Sequence, residues 1–406
     1  MRVFRRGWLA AGAAFAAMLV AVEARAQGSP ILPETRPILL GPVTFYPTIA
    51  LRDAGLDSNV FNDTTGQRGD FTYSATPRLF VVAPIANTRF IGRALGTFTD
   101  YRTYKDQRSL SGLFDARYEF VSPGFRPFAS VGFADRRERR GFEIDARVRQ
   151  RQTFASLGLD VDLTAITALT AWATRTTTAW DRNERYLGVG LADQLDYSAT
   201  SFSGGARFRV TPLTTVVVAA EVQQDRFEHS PLRDADSLRI GPSVDFDSSA
   251  AITGHIKADY RSFRPRNSVV AGYQGITALA DIRYIFRNRV EVNVEANRDV
   301  DYSYDPLEPY LLEAGGRLTV TQRVIGPFGV IGIGEWRDIH HQQVGGGPAF
   351  DGRRDTTTSV GAGLAIQKSK QVRFELVYEQ TSRRSSAPGW REYERQQIFA
   401  SVIYGQ

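Results

Sequence analysis

The chain has 406 residues, with 50 basic and 44 acidic side chains, a formal net charge of +6 and no cysteine. So even a balance argues against a nucleic-acid partner, and the missing thiols exclude disulfides and thiolate chemistry. A mean hydropathy of −0.26, with no membrane-helix-length apolar run beyond the N-terminal region, excludes a helical membrane protein but not a barrel, in which only alternate residues meet lipid.

Arg2, Arg5 and Arg6 precede an apolar run from Gly7 to Val22, and small residues follow at Ala24 and Ala26. This pattern predicts a secretory signal peptide over residues 1–26, cleaved after Ala26. An anchor helix needs about 20 apolar residues, and this core is shorter. Removing residues 1–26 leaves 46 basic against 43 acidic side chains (50 − 4 and 44 − 1), or +3. Residues 27–42 are then a short periplasmic segment, and residues 43–406 a single domain.

That domain is a series of period-two segments, each with one apolar and one polar face. In "VTFYPTIALR" (43–52) Val43, Phe45, Ile49 and Leu51 point one way and Thr44, Tyr46, Thr48 and Arg52 the other. "LSGLFDARYEF" (110–120), "SLRIGPSVDFD" (237–247) and "ITGHIKADY" (252–260) repeat the scheme, as do segments 276–286, 290–296, 310–320 and 372–379. Short connections at 83–87, 122–124, 164–166, 211–212, 248–250, 287–288, 323–326 and 368–370 alternate with mostly longer polar ones at 53–69, 104–108, 137–149, 183–197, 229–235, 264–272, 302–309, 341–353 and 385–390. Together they join eighteen strands. Segments 88–103, 125–136, 167–182 and 327–340 alternate poorly, which leaves sixteen to twenty strands open. Pro47, Pro77, Pro127 and Pro242 interrupt the pattern and are expected at bulges.

Charge is sorted by face. Within the clearly phased segments the polar face holds eleven basic residues, among them Arg52, Arg78, Arg117, Arg207, Arg239, Lys257, Arg283, Arg317 and Arg373. It also holds fourteen acidic residues, including Asp160, Asp245, Asp259, Glu295 and Glu375, while His255 lies between them and the apolar face carries no charge. A basic side chain facing lipid at mid-bilayer costs about 2–4 kcal/mol, so a clean apolar face is what an acyl-chain environment demands. A soluble sandwich alternates as well, with its polar face to solvent. Aromatic residues at apolar-face strand ends (Phe45, Phe120, Phe208, Phe246, Phe286, Phe328) favour the other solution. That is an all-β transmembrane antiparallel barrel with short periplasmic turns, longer outer loops and the charged face lining its lumen.

The stretch "GPVTFYPTIALRDAGLDSNVFN" (41–62), with Asp57, Ser58, Asn59 and Phe61, resembles the opening of a family of bacterial outer-membrane β-barrel porins. Leu56 stands where that family usually has an aromatic residue. The resemblance implies a single barrel without catalysis and, in some members, a link to exopolysaccharide export. The last strand, "QQIFASVIYGQ", resembles the insertion signal of such barrels, although Gly405 and Gln406 follow the aromatic Tyr404. Implied partners are outer-membrane lipid, the barrel-assembly machinery during insertion, and small hydrophilic solutes or a polysaccharide. No cofactor is implied.

Other motifs have plainer readings. Asp57-Ser58-Asn59 offers hard oxygen donors to a cation, but short polar side chains also order a loop. His340-His341 with Asp338 has the side chains to hold a metal ion in an outer loop, but a solvated loop is the preferred reading. The "GVG" (188–190) and "GAG" (361–363) stretches lack a strand–turn–helix context for a nucleotide. A passive pore narrowed by loop 53–69 or 341–353 is the first functional expectation, a polysaccharide export port the second and a structural barrel with a closed lumen the third. The mixed inner charge predicts weak ion selectivity.

Overall fold

The computed structural model describes residues 35–405, apart from 141, 248–250, 346–351, 370 and 388–389. The expected signal peptide and residues 27–34 of the expected periplasmic segment lie outside the described residues. Eighteen long strands form one closed antiparallel sheet, with a short nineteenth strand beside them. In chain order they are β1 (Val43–Asp57), β2 (Asp70–Ile85), β3 (Thr88–Tyr101), β4 (Ser109–Phe120), β5 (Phe125–Arg140) and β6 (Ile144–Asp162). Then come β7 (Thr167–Trp180), β8 (Tyr197–Thr211), β9 (Thr214–Phe227), β10 (Ala235–Phe246), β11 (Ile252–Pro265) and β12 (Tyr273–Phe286). The series ends with β13 (Val290–Tyr302), β14 (Tyr310–Ile325), β15 (Phe328–Gln342), β16 (Arg354–Gln367), β17 (Val372–Ser385) and β18 (Tyr393–Tyr404). Each strand pairs with its neighbours in sequence, and β1 pairs with β18 from Ile49↔Tyr404 to Asp57↔Gln397, closing the ring. The short strand Ile38–Leu40 turns at Gly41 and pairs with β1 just below the point where β18 ends.

The strand count agrees with the even number read from the sequence, and all four poorly alternating segments are strands. Their weak signal has a local cause. In β15 Ile331 and Ile333 face inward while Gly332 and Gly334 separate them on the outer phase, so the two faces scarcely differ in hydropathy. Loop 137–149 is overturned: β5 and β6 run on to Arg140 and Ile144, with Phe142 and Glu143 in the turn between them. The prolines do not mark bulges. Pro77 and Pro242 sit in gaps of the β2–β3 and β10–β11 ladders that leave the register unchanged. Pro47 lies below the end of β18, and Pro127 just beyond its last paired neighbour on β4. Each therefore occupies a position where no ladder donor is required on that side. A register shift does occur at Asp53, whose φ of 52° is left-handed, and it separates Leu51 from Ala54 in both sequence phase and pairing.

Short turns follow local chemistry. Arg287 and Asn288 both have positive φ, 49° and 54°, and Arg289 N donates to Phe286 O at 3.0 Å, which makes a two-residue primed turn of the kind that matches strand twist. Outward aromatics form two belts: Phe120, Phe125, Phe208, Phe286, Phe328 and Tyr404 near the short turns, and Phe133, Phe202, Tyr260, Trp336 and Tyr378 higher up. Phe125 to Phe133 and Phe328 to Trp336 are each eight residues. At about 3.3 Å per residue and a tilt of about 40°, the belts stand about 20 Å apart, close to the apolar height of an outer-membrane barrel. The tightly packed apolar residues lie at the outer end, inside the ring. Ile144, Val148, Trp180, Tyr186, Leu191, Leu195, Phe227 and Tyr304 form one cluster there, and Phe263, Val270, Tyr273, Val300 and Tyr310 another.

Candidate functional site

The two faces of the strands differ as the sequence pattern requires. In β16 Asp355, Thr357 and Ser359 are buried inward, while Val360 and Leu364 are 63% and 59% exposed on the outside. Polar side-chain contacts between strands that are not neighbours prove the inner face. Arg317 of β14 reaches Glu379 of β17 at 2.7 Å, and Arg337 of β15 reaches Asn297 of β13 at 2.9 Å.

The structure brings most of the sequence-derived inner residues into pairs. Arg207 lies 3.7 Å from Asp160, Arg283 3.6 Å from Glu291, Lys257 2.8 Å from Asp259, and Arg373 2.6 Å from Glu375. His255 Nδ1 meets Asp245 Oδ1 at 2.6 Å. Arg239 meets Asp299 at 3.1 Å, and Arg117 meets Glu119 at 2.5 Å while stacking on the Phe128 ring at 3.5 Å. Glu295 faces Arg317, Arg337 and the like-charged Asp281. Arg52 has Asp53 and Glu375 as counter-charges, whereas the charges acting on Arg78 are both cationic.

Sequence reasoning missed the outer constriction. The β5–β6 turn leans over the lumen and is held from every side. Arg383 Nη1 of β17 donates to Phe142 O at 2.6 Å, and Ser303 Oγ of the β13–β14 loop donates to Glu143 Oε1 at 2.5 Å. Tyr186 Oη donates to Asp145 Oδ1 at 2.7 Å from the β7–β8 loop, and Arg391 pairs with the same carboxylate from the β17–β18 loop. Asn62 Nδ2 donates to Asp145 O at 3.3 Å, and Arg147 Nη1 donates to Tyr101 Oη at 2.7 Å. Beneath it Arg383 Nη2 lies 2.9 Å from Asp355 Oδ2, and Arg353 Nε 3.1 Å from the same oxygen. Arg353 Nη2 donates to His341 Nε2 at 2.9 Å, which places the imidazole proton on Nδ1, facing Glu308 at 3.2 Å. Burial pushes the Glu143 carboxyl above its ordinary range, opposed by His341 and Arg353.

This lattice corrects two expectations. The hairpin tip, not loop 53–69 or 341–353 alone, occupies the lumen's outer end, with Asn62 of the first loop and Arg353 of the second set against it. The β5–β6 extension could have been suspected from the repeated arginines between Arg136 and Arg151, which read instead as a polar loop. His340 and His341 do not form a metal pair either. As successive residues of β15 they point to opposite faces, His340 outward to Asp338 at 2.6 Å and His341 inward. Among the described residues no group of three or more His, Asp or Glu is disposed to hold a metal ion.

Asp57, Ser58 and Asn59 act as the loop-ordering reading expects. Asp57 Oδ1 accepts from Asn59 N at 3.0 Å and from Arg395 Nε at 2.9 Å. Ser58 Oγ accepts from Gln396 N at 2.8 Å, and Asn59 Nδ2 donates to Glu394 O at 3.0 Å. The three residues thus strap the first outer loop to β18. Phe61 packs edge-on against Tyr104, their centroids 4.9 Å apart, with Arg68 over its face at 3.8 Å. The "GAG" glycines serve packing, since a Cβ on Gly363 would stand 2.6 Å from Leu376 O.

A closed, even-stranded sheet with apolar exterior, paired aromatic belts and an ion-paired interior narrowed at its outer end is a porin-type outer-membrane barrel. The chain belongs to the family described as Putative beta-barrel porin 2, whose model matches residues 34–405. No curated protein matches it in sequence. Among solved structures, OccK2 (OpdF) of Pseudomonas aeruginosa is similar at 12% identity and a TM-score of 0.49, over 89% of this chain and 97% of that one. OccK1 (OpdK) of the same species shows 12% identity and a TM-score of 0.47, over 89% and 98%. A BenF-like porin from Pseudomonas fluorescens Pf-5 shows 10% identity and a TM-score of 0.46, over 89% and 99%.

Proposed function

We propose that the barrel is a passive diffusion channel for small hydrophilic solutes, lined by the inward charges from Arg52 to Glu375 named above. The observation that carries this reading is a polar, ion-paired inner face enclosed by a complete ring of strands. Eighteen strands about 4.8 Å apart and tilted by about 40° give a backbone radius of about 18 Å, room for water once side chains are added. Eleven basic and fourteen acidic inner residues in the clearly phased segments support weak overall ion selectivity. The chain performs no catalysis in this reading. It reaches the outer membrane of a Gram-negative cell after cleavage of residues 1–26, and the barrel-assembly machinery and outer-membrane lipid are its partners there.

The constriction sets the rate. A solute entering from outside must pass the hairpin tip, so the hairpin lattice is the element that limits conductance. Planar-bilayer recording of the purified protein tests the proposal: discrete conductance steps are expected, larger when residues 140–145 are replaced by a short glycine link. A protein that inserts but conducts in neither form would instead be a structural barrel. The family match lends no support to the polysaccharide port.

A further inference from the structure

Arg78, midway along β2, stands apart from the other inner arginines at its depth. Among the described residues no carboxylate lies within ion-pair distance of it, and its Nε is buried without a hydrogen-bond partner. The charged groups that act on it are Arg52 and Arg93. Both neighbours are compensated: Arg93 pairs with Asp115 at 2.6 Å, and Arg52 has Asp53 and Glu375 nearby. Of these three neighbouring guanidiniums Arg78 is therefore the one that no carboxylate answers.

Its surroundings are specific. The β1–β2–β3 register sets Thr48 on one side of Arg78 and Leu95 on the other. One inward position toward the short turns is Phe80, whose ring meets Tyr46 edge-on at 6.1 Å. One inward position toward the outer end is Thr76, its hydroxyl 3.1 Å from that of Thr97. A half-dried guanidinium without an anion is unfavourable, and its planar fork fits a carboxylate through two parallel hydrogen bonds. Next to it the Tyr46–Phe80 pair offers an apolar, aromatic surface for the body of the same molecule.

We propose that Arg78, flanked by Thr48, Phe80 and Tyr46, is a binding subsite for small aromatic monocarboxylates. A monoanion is specified because a single charge is uncompensated; a dianion would gain little more from neighbours already paired. The subsite names a solute class for the proposed channel and rests on that reading only for its role in transport, so binding and conduction are measured separately. The detergent-solubilised full-length protein is titrated calorimetrically with benzoate and with benzyl alcohol, its uncharged analogue. Benzoate is expected to bind at least about ten-fold more tightly than the alcohol. Arg78→Gln should lose that preference and Arg78→Lys keep part of it, with folding of each variant checked by heat-modifiable gel mobility. Equal binding of the two probes, or unchanged benzoate binding in Arg78→Gln, overturns the subsite. Benzoate binding by a barrel that never conducts would defeat the channel and leave the subsite standing.

Discussion

Arg395 in the last strand and Asp57 at the top of the first form a two-pronged ion pair across the closing seam, with Nε to Oδ1 at 2.9 Å and the second nitrogen on Oδ2. Asp57 is almost wholly buried. Removing one partner of a buried pair costs about 3–5 kcal/mol, because the other charge stays dry and unanswered. Asp57→Ala is therefore expected to lower the stability of the folded barrel by about that amount in a urea titration followed by gel mobility. A loss below about 1 kcal/mol would show that the backbone ladder alone holds the seam.

Arg383 grips the hairpin through Phe142 O and Asp145 and anchors it to Asp355. Arg383→Gln keeps some hydrogen bonding but removes the charge that two carboxylates share. Bilayer recordings should show a higher mean conductance and more frequent switching between levels, with little change in the folded fraction. Conductance identical to the parent would mean that Arg391 and Ser303 suffice to hold the tip.

Glu143 supplies a pH dependence of known sign. Its carboxyl lies against Ser303 Oγ, the backbone of Tyr304 and the His341 ring, and burial raises its proton affinity there. A raised carboxyl binds its proton more tightly with the hairpin seated than with it free. Seating thus gains stability below the ordinary carboxylate range and loses it as pH rises through the elevated value. Conductance is expected to fall on acidification, and Glu143→Gln to flatten the response. If the variant responds to pH like the parent, Glu143 is not the responsible group.

Val360 and Ser359 are adjacent in β16 and face opposite ways, 63% and 5% exposed. Val360→Arg places a guanidinium among acyl chains and should cost about 2–4 kcal/mol of folding free energy in lipid vesicles. Ser359→Arg enters the polar interior and should cost far less. Equal penalties would contradict the assignment of the two faces.

The barrel was legible where hydropathy alternated. β11 announces itself in Ile252, Ile256 and Tyr260 set against His255, Lys257 and Asp259, and its pairing follows that phase. β15 was obscure because glycine on one face and isoleucine on the other erase the contrast. At the outer end alternation loses its meaning, since Arg139 and Arg147 belong to a hairpin that bends over the lumen and packs both of its faces. The constriction was hidden for the same reason: Glu143, His341 and Arg383 are far apart in sequence, and only the closed ring makes them neighbours. Phase predicted that Arg78 would face inward; that it would be left without a carboxylate was beyond what one strand's pattern reveals.

The seam has a consequence for biogenesis. Asp57 and Arg395 are 338 residues apart, so β1 must wait for nearly the whole polypeptide before its final partner exists. In the interval two raw edges, of 15 and 12 residues, would display unpaired amides and carbonyls to any passing strand. A nascent sheet of this topology is sticky until the moment it becomes a tube, and has to be escorted from synthesis to insertion.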